Sequence, residues 1–196
     1  MDSELIQRFQ EGDLSAFDQL VSRHYYKAKQ TAYLITQNKE LAEEIVQDAF
    51  LICYQKLHLL RNPACFQTWF YKILVRMSKK ALQKEKWLTF LSFRDDLEIN
   101  GFNYEEMANN QNELYLALYE AINQLRPALR TVVILYYFND MPLSEIATVL
   151  ACREGTVKSR LFHARKKLEI VLRQSDALSR SIDYFKRRKN ECQTNY

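Results

Sequence analysis

Residues 142–168 read PLSEIATVLACREGTVKSRLFHARKKL, and this stretch decides the fold. Apolar residues recur at helical spacing on both sides of a short interruption at 151–153. Before the interruption they are Leu143, Ile146, Ala147 and Leu150, and after it Val157, Leu161, Ala164 and Leu168. Pro142 suits the first turn of a helix, and the interruption is too short to be anything but a turn. The pattern predicts a helix-turn-helix.

The outer face of the second helix carries short polar side chains and basic side chains. We take the candidate DNA-contacting residues of this region to be Arg153, Thr156, Lys158, Ser159, Arg160, Phe162, His163, Arg165, Lys166 and Lys167. Residues near the N-terminus of a recognition helix contact the edges of DNA bases, while basic side chains further along the helix bind the phosphate backbone. Periodicity alone fits a helical hairpin with a solvated basic face equally well.

The composition of the whole chain favours an all-α fold. Hydrophobic residues make up 47% of the 196 residues, with only three glycines and three prolines. Such a chain folds, and it has little material for the turns of a many-stranded sandwich or barrel. The length allows one ordinary domain or two small ones.

Periodicity and charge divide the chain into two small helical domains joined by a linker. Helical patterns fill residues 1–86 and 113–174, an acidic linker lies at 87–112, and a basic tail occupies 175–196, where we expect a short fraying helix. Two basic stripes, at 72–86 and 153–173, flank the linker. Stripes of this kind suit an anionic polymer such as nucleic acid.

Several classes of protein are disfavoured by what the sequence lacks. The three histidines lie far apart, and there is no glycine-rich phosphate loop, so we expect no enzyme and no cofactor. The four cysteines are scattered without metal-ligand spacing, which argues against a metal site. No apolar run reaches the ~18 residues of a membrane span, and the N-terminus does not resemble a signal peptide. We therefore expect a cytoplasmic protein without membrane insertion.

The EIA, GTVKSR and AR elements of 144–168 resemble the promoter-reading helix-turn-helix of the extracytoplasmic-function (ECF) class of bacterial sigma factors, in the sigma-70 family. AEEIVQDAFLICYQKL at 42–57 resembles the helix by which these factors hold the clamp of core RNA polymerase. FQTWFYKILVRMSKKAL at 66–82 resembles their following helix, which faces the −10 element. The resemblance implies a factor that directs core polymerase to promoters, opens DNA at −10 and reads the −35 element with residues 153–167.

The resemblance also assigns residues in the N-terminal half. Glu44, Gln47 and Asp48 share one helix face and are the candidates for core polymerase contact, although a solvated helix side has the same pattern. The candidates for contact with −10 DNA are Arg61, Asn62, Phe66, Lys72, Arg76 and Lys79. They include part of the loop at 58–66, which matches in position the family segment that captures a flipped base. Such capture requires a pocket with basic walls. We expect Trp69 to pack inside the domain.

The chain departs from the family pattern at several positions. Arg76 and Lys80 stand where the family often has Asn and then Asp or Asn, and Gln83 replaces a commonly basic residue. Arg153 stands in place of the usual Ser or Pro of the turn. Arg76 and Lys80 make the strand-facing helix more basic, which favours phosphate affinity over sequence preference at −10.

The implied partners are core RNA polymerase, promoter DNA and an anti-sigma factor. For the acidic linker two interpretations stay open: a mimic of nucleic acid inside the polymerase channel, or a solvated spacer. The main alternative function is a free-standing helix-turn-helix regulator that binds an operator as a dimer without polymerase.

Overall fold

The computed structural model describes residues 2–92 and 113–173. In these ranges it contains α1 (Asp2–Gln10), α2 (Leu14–Thr36), α3 (Lys39–Lys56), α4 (Phe66–Ser92), α5 (Glu113–Asn123), α6 (Pro127–Val133), α7 (Leu143–Leu150) and α8 (Glu154–Arg173). The described ranges hold helices and turns but no strand, as the composition predicts. Most of the predicted linker and the tail, including its expected short helix, lie outside the described residues.

The N-terminal domain consists of α1 to α4, with α2, α3 and α4 packed on one another. Side chains at the helix starts fix their bounds: Asp13 caps α2 by accepting a hydrogen bond from Ser15 N, and Asn38 caps α3 by accepting one from Leu41 N. Two short 3₁₀ turns, Leu57–Leu59 and Pro63–Cys65, carry the chain from α3 to α4.

The C-terminal domain consists of α5 to α8. Helix α6 passes into a π-helical turn, Ile134–Phe138, before α7 begins. Ala151 then takes the left-handed conformation, with φ 51° and ψ 50°, and ends α7 so that α8 can start three residues later. Both predicted apolar stripes face inward. Ile146, Ala147 and the second-helix set Val157, Leu161, Ala164 and Leu168 are buried, while Leu143 and Leu150 are half-buried and pack against the hydrophobic cluster. The predicted helix-turn-helix is confirmed.

Helix α4 differs from its prediction in two ways. It continues to Ser92, beyond residue 86, where the sequence pattern ends the domain. It also buries a second face, formed by Tyr71, Val75 and Ser78, beside the predicted one that contains Phe70 and Leu74.

The reason for the second buried face is that the two domains pack on each other. Helix α4 lies against α7, and α2 lies against the π-helical turn and α6. The buried residues of both domains form one continuous hydrophobic cluster. A linker between two small domains is compatible with this contact but does not predict it.

Among the described residues, no helix combines the length and apolar character that crossing a membrane demands.

Candidate functional site

The outer face of α8 has the geometry of a recognition helix. Lys158, Ser159, Phe162 and His163 are all exposed, and Phe162 is 64% exposed although it is a large aromatic residue. The Phe162 and His163 rings meet edge to face with centroids 5.6 Å apart. Lys158 Nζ lies 3.1 Å from Glu154 Oε1, one turn earlier. Aromatic and basic groups therefore stand together near the start of the helix.

The remaining candidates on this side fall into two groups. Arg153, Lys166 and Lys167 are exposed, while Thr156 is half-buried. Arg160 is half-buried as well and turns toward the N-terminal domain, where it lines a cavity with Lys79.

Arg165 differs from the other candidates because it is held by the domain itself. Its Nε donates a hydrogen bond to the Tyr137 hydroxyl at 2.8 Å, and its guanidinium carbon lies 5.5 Å and 5.8 Å from the ring centroids of Tyr136 and Tyr137. These contacts fasten α8 to the π-helical turn. The geometry therefore favours a packing role for Arg165.

The basic face of α4 presents three cations one turn apart. Lys72, Arg76 and Lys79 are all exposed, at a spacing that aligns them along the helix. Partial burial and the nearby Arg160 guanidinium lower the pKa of Lys79. Such a row can follow the phosphates of a DNA strand.

The turn before α4 presents Arg61 and Asn62, which are both exposed. Asn62 Oδ1 accepts a hydrogen bond from Ala64 N at 3.1 Å, so this side chain also shapes the turn. Trp69 is half-buried and packs against the hydrophobic cluster, in agreement with its expected packing role.

Phe66 corrects the sequence-based prediction of a DNA contact. It is 1% exposed, and its ring packs 5.3 Å from His24 and 5.8 Å from Phe70 between centroids. A ring in this position cannot stack on a base without leaving the core. The sequence pattern places Phe66 in a loop, whereas it is the first residue of α4 and is buried.

The exposed face of α3 carries the candidates for a protein partner. Glu44, Gln47 and Asp48 are exposed, whereas Ile45 and Ala49 between them are buried. Glu43 is half-buried, and the Lys29 ammonium, whose Nζ lies 2.5 Å from Glu43 Oε1, lowers its pKa.

Sequence reasoning missed two apolar residues on the same side of α3. Leu51 is 56% exposed and Tyr54 is 43% exposed. They follow Asp48 and Gln47 by one and two helical turns, and this register was the signal that could have identified them. The polar face therefore continues into an apolar one.

Comparison with known proteins finds matches for both domains. Residues 20–88 match the model of Sigma-70 region 2, and residues 115–168 match that of Sigma-70, region 4. RNA polymerase sigma-H factor of Pseudomonas aeruginosa is 30% identical over 180 residues, which are 87% of this chain and 93% of that protein. The ECF RNA polymerase sigma-E factor of Escherichia coli K12 is 30% identical over 177 residues, 86% of this chain and 92% of that protein. The chain belongs to the sigma-70 family, in its ECF class.

Solved structures share the fold of this ECF family member. CnrH, solved in complex with the cytosolic domain of CnrY, matches with a TM-score of 0.66 at 22% identity and covers 89% of this chain and 99% of its own. The sigma factor RpoE of Bartonella quintana, solved with the anti-sigma factor NepR, also gives 0.66, at 21% identity, with coverage of 82% and 98%. Both domains of the ECF chain therefore have known counterparts.

Proposed function

We propose that this chain is the promoter-selecting subunit of RNA polymerase: it docks on core polymerase, helps to open DNA at the −10 region and reads the −35 element. The observation that carries the proposal is that one chain combines two basic helices, α4 and α8, with an exposed partner face on α3. In a free-standing regulator the α3 face would only be a solvated helix side. The chain supplies binding surfaces, and the chemistry of RNA synthesis belongs to the polymerase.

We assign the core polymerase contact to α3. Glu44, Gln47 and Asp48 offer carboxylate and amide groups to a basic partner helix, and Leu51 and Tyr54 add an apolar surface beside them. An interface with an apolar centre and a polar rim is the usual anatomy of a stable protein contact.

Contact with DNA is divided between the two domains. Lys72, Arg76 and Lys79 of α4, with Arg61 and Asn62 of the preceding turn, hold the backbone near −10. Lys158, Ser159, Phe162 and His163 read bases at −35, and Lys166 and Lys167 hold phosphates there. Base edges give the sequence preference, while phosphate contacts fix the register.

Two further proposals concern where the protein acts and what controls it. CnrH was solved in complex with the cytosolic domain of CnrY, and RpoE of Bartonella quintana in complex with the anti-sigma factor NepR. We propose that an anti-sigma factor also binds this chain, and that the protein acts in the cytoplasm beside the polymerase.

The test is binding of the full chain to core polymerase. Replacing Gln47 and Asp48 with Ala removes two exposed polar groups, so the affinity should fall on the order of 30-fold if each forms a hydrogen bond worth ~1 kcal/mol. The matched control changes Asp18 and Gln19 to Ala. These two residues are adjacent in sequence and exposed on α2. Both double variants should keep the helical circular-dichroism signal. Wild-type affinity of the α3 variant would contradict the assignment of this face.

A further inference from the structure

A cavity of about 280 Å³ lies between the two domains, with walls from both. Its lining residues include Lys79 and Leu82 of α4 and Arg160 of α8, while Ile35 of α2 and Leu150 of α7 add apolar surface. Lys79 is exposed and Arg160 is half-buried, so solvent reaches the cavity from their side. The volume suits a small molecule, because pockets for drug-sized ligands begin at about 300 Å³.

The lining of this cavity carries positive charge without a neutralising acid. No carboxylate is among the lining residues, and within the described part of the chain neither Lys79 nor Arg160 forms an ion pair. Partial burial and the Arg160 guanidinium lower the pKa of Lys79, so the two charged groups lie close enough to repel each other. An anion between them would convert this repulsion into two attractions.

A third cation is buried next to the cavity wall. Arg130 is 7% exposed, and its guanidinium donates only to backbone carbonyls: Ile35 at 3.4 Å, Asn123 at 3.1 Å and Leu125 at 3.0 Å. None of the described residues accepts a hydrogen bond from its Nε. Ile35, which accepts one of these bonds, and Thr131, the next residue in the chain, both line the cavity. Carbonyl dipoles offset a buried charge less than a carboxylate does, so Arg130 adds to the positive potential there.

The donors at this cavity favour a phosphate monoester over other anions. Arg160 can give two parallel N–H bonds to phosphate oxygens, and Lys79 supplies a compact charge. A phosphate monoester carries close to two negative charges at neutral pH, which matches these two cations, whereas a carboxylate or a phosphodiester carries one. Gln83, an exposed lining residue, has a neutral N–H donor for a further phosphate oxygen. The apolar lining residues suit an apolar group attached to the phosphate.

We propose that this cavity binds a small organic phosphate monoester, with the phosphate between Lys79 and Arg160 and an apolar group against Ile35, Leu82 and Leu150. The site takes one cation from each domain, so a bound ligand is held by both. Because the ligand binds the folded chain, it should raise the melting temperature in proportion to the logarithm of its concentration. The proposal goes beyond the proposed function, since neither polymerase nor promoter DNA takes part in this binding.

The test measures binding of phenyl phosphate to the full chain by isothermal titration calorimetry at about pH 8, where the monoester carries both charges. Three related compounds separate the contributions. Inorganic phosphate lacks the ring, phenol lacks the phosphate, and methyl phenyl phosphate is a diester with a single charge, like the phosphates of DNA. We expect phenyl phosphate to bind at one site per chain, more tightly than each of the other three, and to raise the melting temperature.

Two full-length variants remove one cation each, from opposite domains. Lys79→Gln and Arg160→Gln should each weaken the binding of phenyl phosphate about tenfold or more, because each loses a charged hydrogen bond. Lys80→Gln is the matched control, since it makes the same change one position further along α4, at an exposed residue outside the cavity lining. It should bind as the wild-type chain does. Circular-dichroism melting without ligand identifies any variant that has lost its fold, and the other variant then still tests the site.

Several results would overturn the proposal. Phenyl phosphate that shows no saturable binding would remove the site. Equal binding of the diester would assign the two cations to nucleic-acid phosphates, and equal binding of inorganic phosphate would leave the apolar lining without a role. The same loss in Lys80→Gln as in Lys79→Gln would show diffuse attraction to a basic helix. Each of these results leaves binding to core polymerase untouched, so the proposed function stands or falls by its own test.

Discussion

Replacement of Phe162 by Ala tests whether α8 reads DNA bases. The Phe162 side chain is 64% exposed, so the substitution removes little from the packing of the folded protein. Its position beside His163 and one turn after Lys158 places it among the candidates for base contact. We expect the variant to keep the stability of the wild-type protein and to lose affinity and discrimination at −35.

The expected loss of affinity follows from the area of the Phe162 side chain that DNA can cover. A large aromatic residue offers ~200 Å², so a residue that is 64% exposed presents about 130 Å², and covering about half of that buries ~65 Å². At ~25 cal/mol per Å² this contact is worth about 1.6 kcal/mol, or about 15-fold in affinity. A thymine methyl group is the partner in the major groove that best suits such a side chain.

The assay measures binding of the reconstituted holoenzyme to a panel of single-base −35 variants at fixed salt. Phe162→Ala should weaken binding to the preferred sequence and reduce discrimination at one or two base positions. Ile170→Ala is the matched control, because Ile170 is 53% exposed on the same helix but lies two turns further from its start. Lys166→Ala should weaken binding to all sequences about equally.

The same binding measurements on the −35 variants can refute base reading by Phe162. If Phe162→Ala preserves the wild-type rank order of the −35 variants, this residue does not read bases. An equal loss on every sequence would instead assign it a contact with sugar or phosphate.

Three other predictions concern stability and phosphate contact. Phe66→Ala should lower the free energy of unfolding, measured by denaturant titration, by about 3–5 kcal/mol because the ring is buried. Loss of −10 opening without this loss of stability would instead identify Phe66 as a DNA contact. Ala151→Gly should raise the stability by about 0.5–1 kcal/mol, since φ is 51°, and a lower melting temperature would refute the assigned strain. Changing Lys72 and Arg76 to Gln should reduce the salt slope of promoter binding by about 1.4–1.8, whereas an unchanged slope would mean that both merely face water.

Periodicity was sufficient to predict the two helices of this region, the turn between them and their inward side chains. Val157, Leu161 and Ala164 are apolar and regularly spaced, and they mark one face of the helix for burial. The outward direction of Phe162 followed from the same register. The local sequence pattern predicts such helices because their apolar side chains are buried within one small domain.

The interdomain contact could not be predicted in this way. Tyr71 and Ser78 are ambiguous in a sequence because their polar groups suit either solvent or a buried hydrogen bond. The Ser78 hydroxyl donates to the Leu74 carbonyl of its own helix. The Tyr71 hydroxyl bonds with Thr31 and Asn139, which are distant in sequence and belong to different domains. Arg165 is a similar case, since the Tyr137 hydroxyl that fixes it is 28 positions away. Tertiary partners of this kind leave no local signal.

The proposed function requires that this chain directs core polymerase to particular promoters. The direct measurement is transcription from a library of randomised promoters by core polymerase, with and without the full chain, followed by sequencing of the templates that produce transcripts. We predict that transcripts appear only when the chain is present and that their templates share one −35 and one −10 motif at a fixed spacing. Core polymerase that gives the same unselected transcripts with and without the chain would contradict the proposed function.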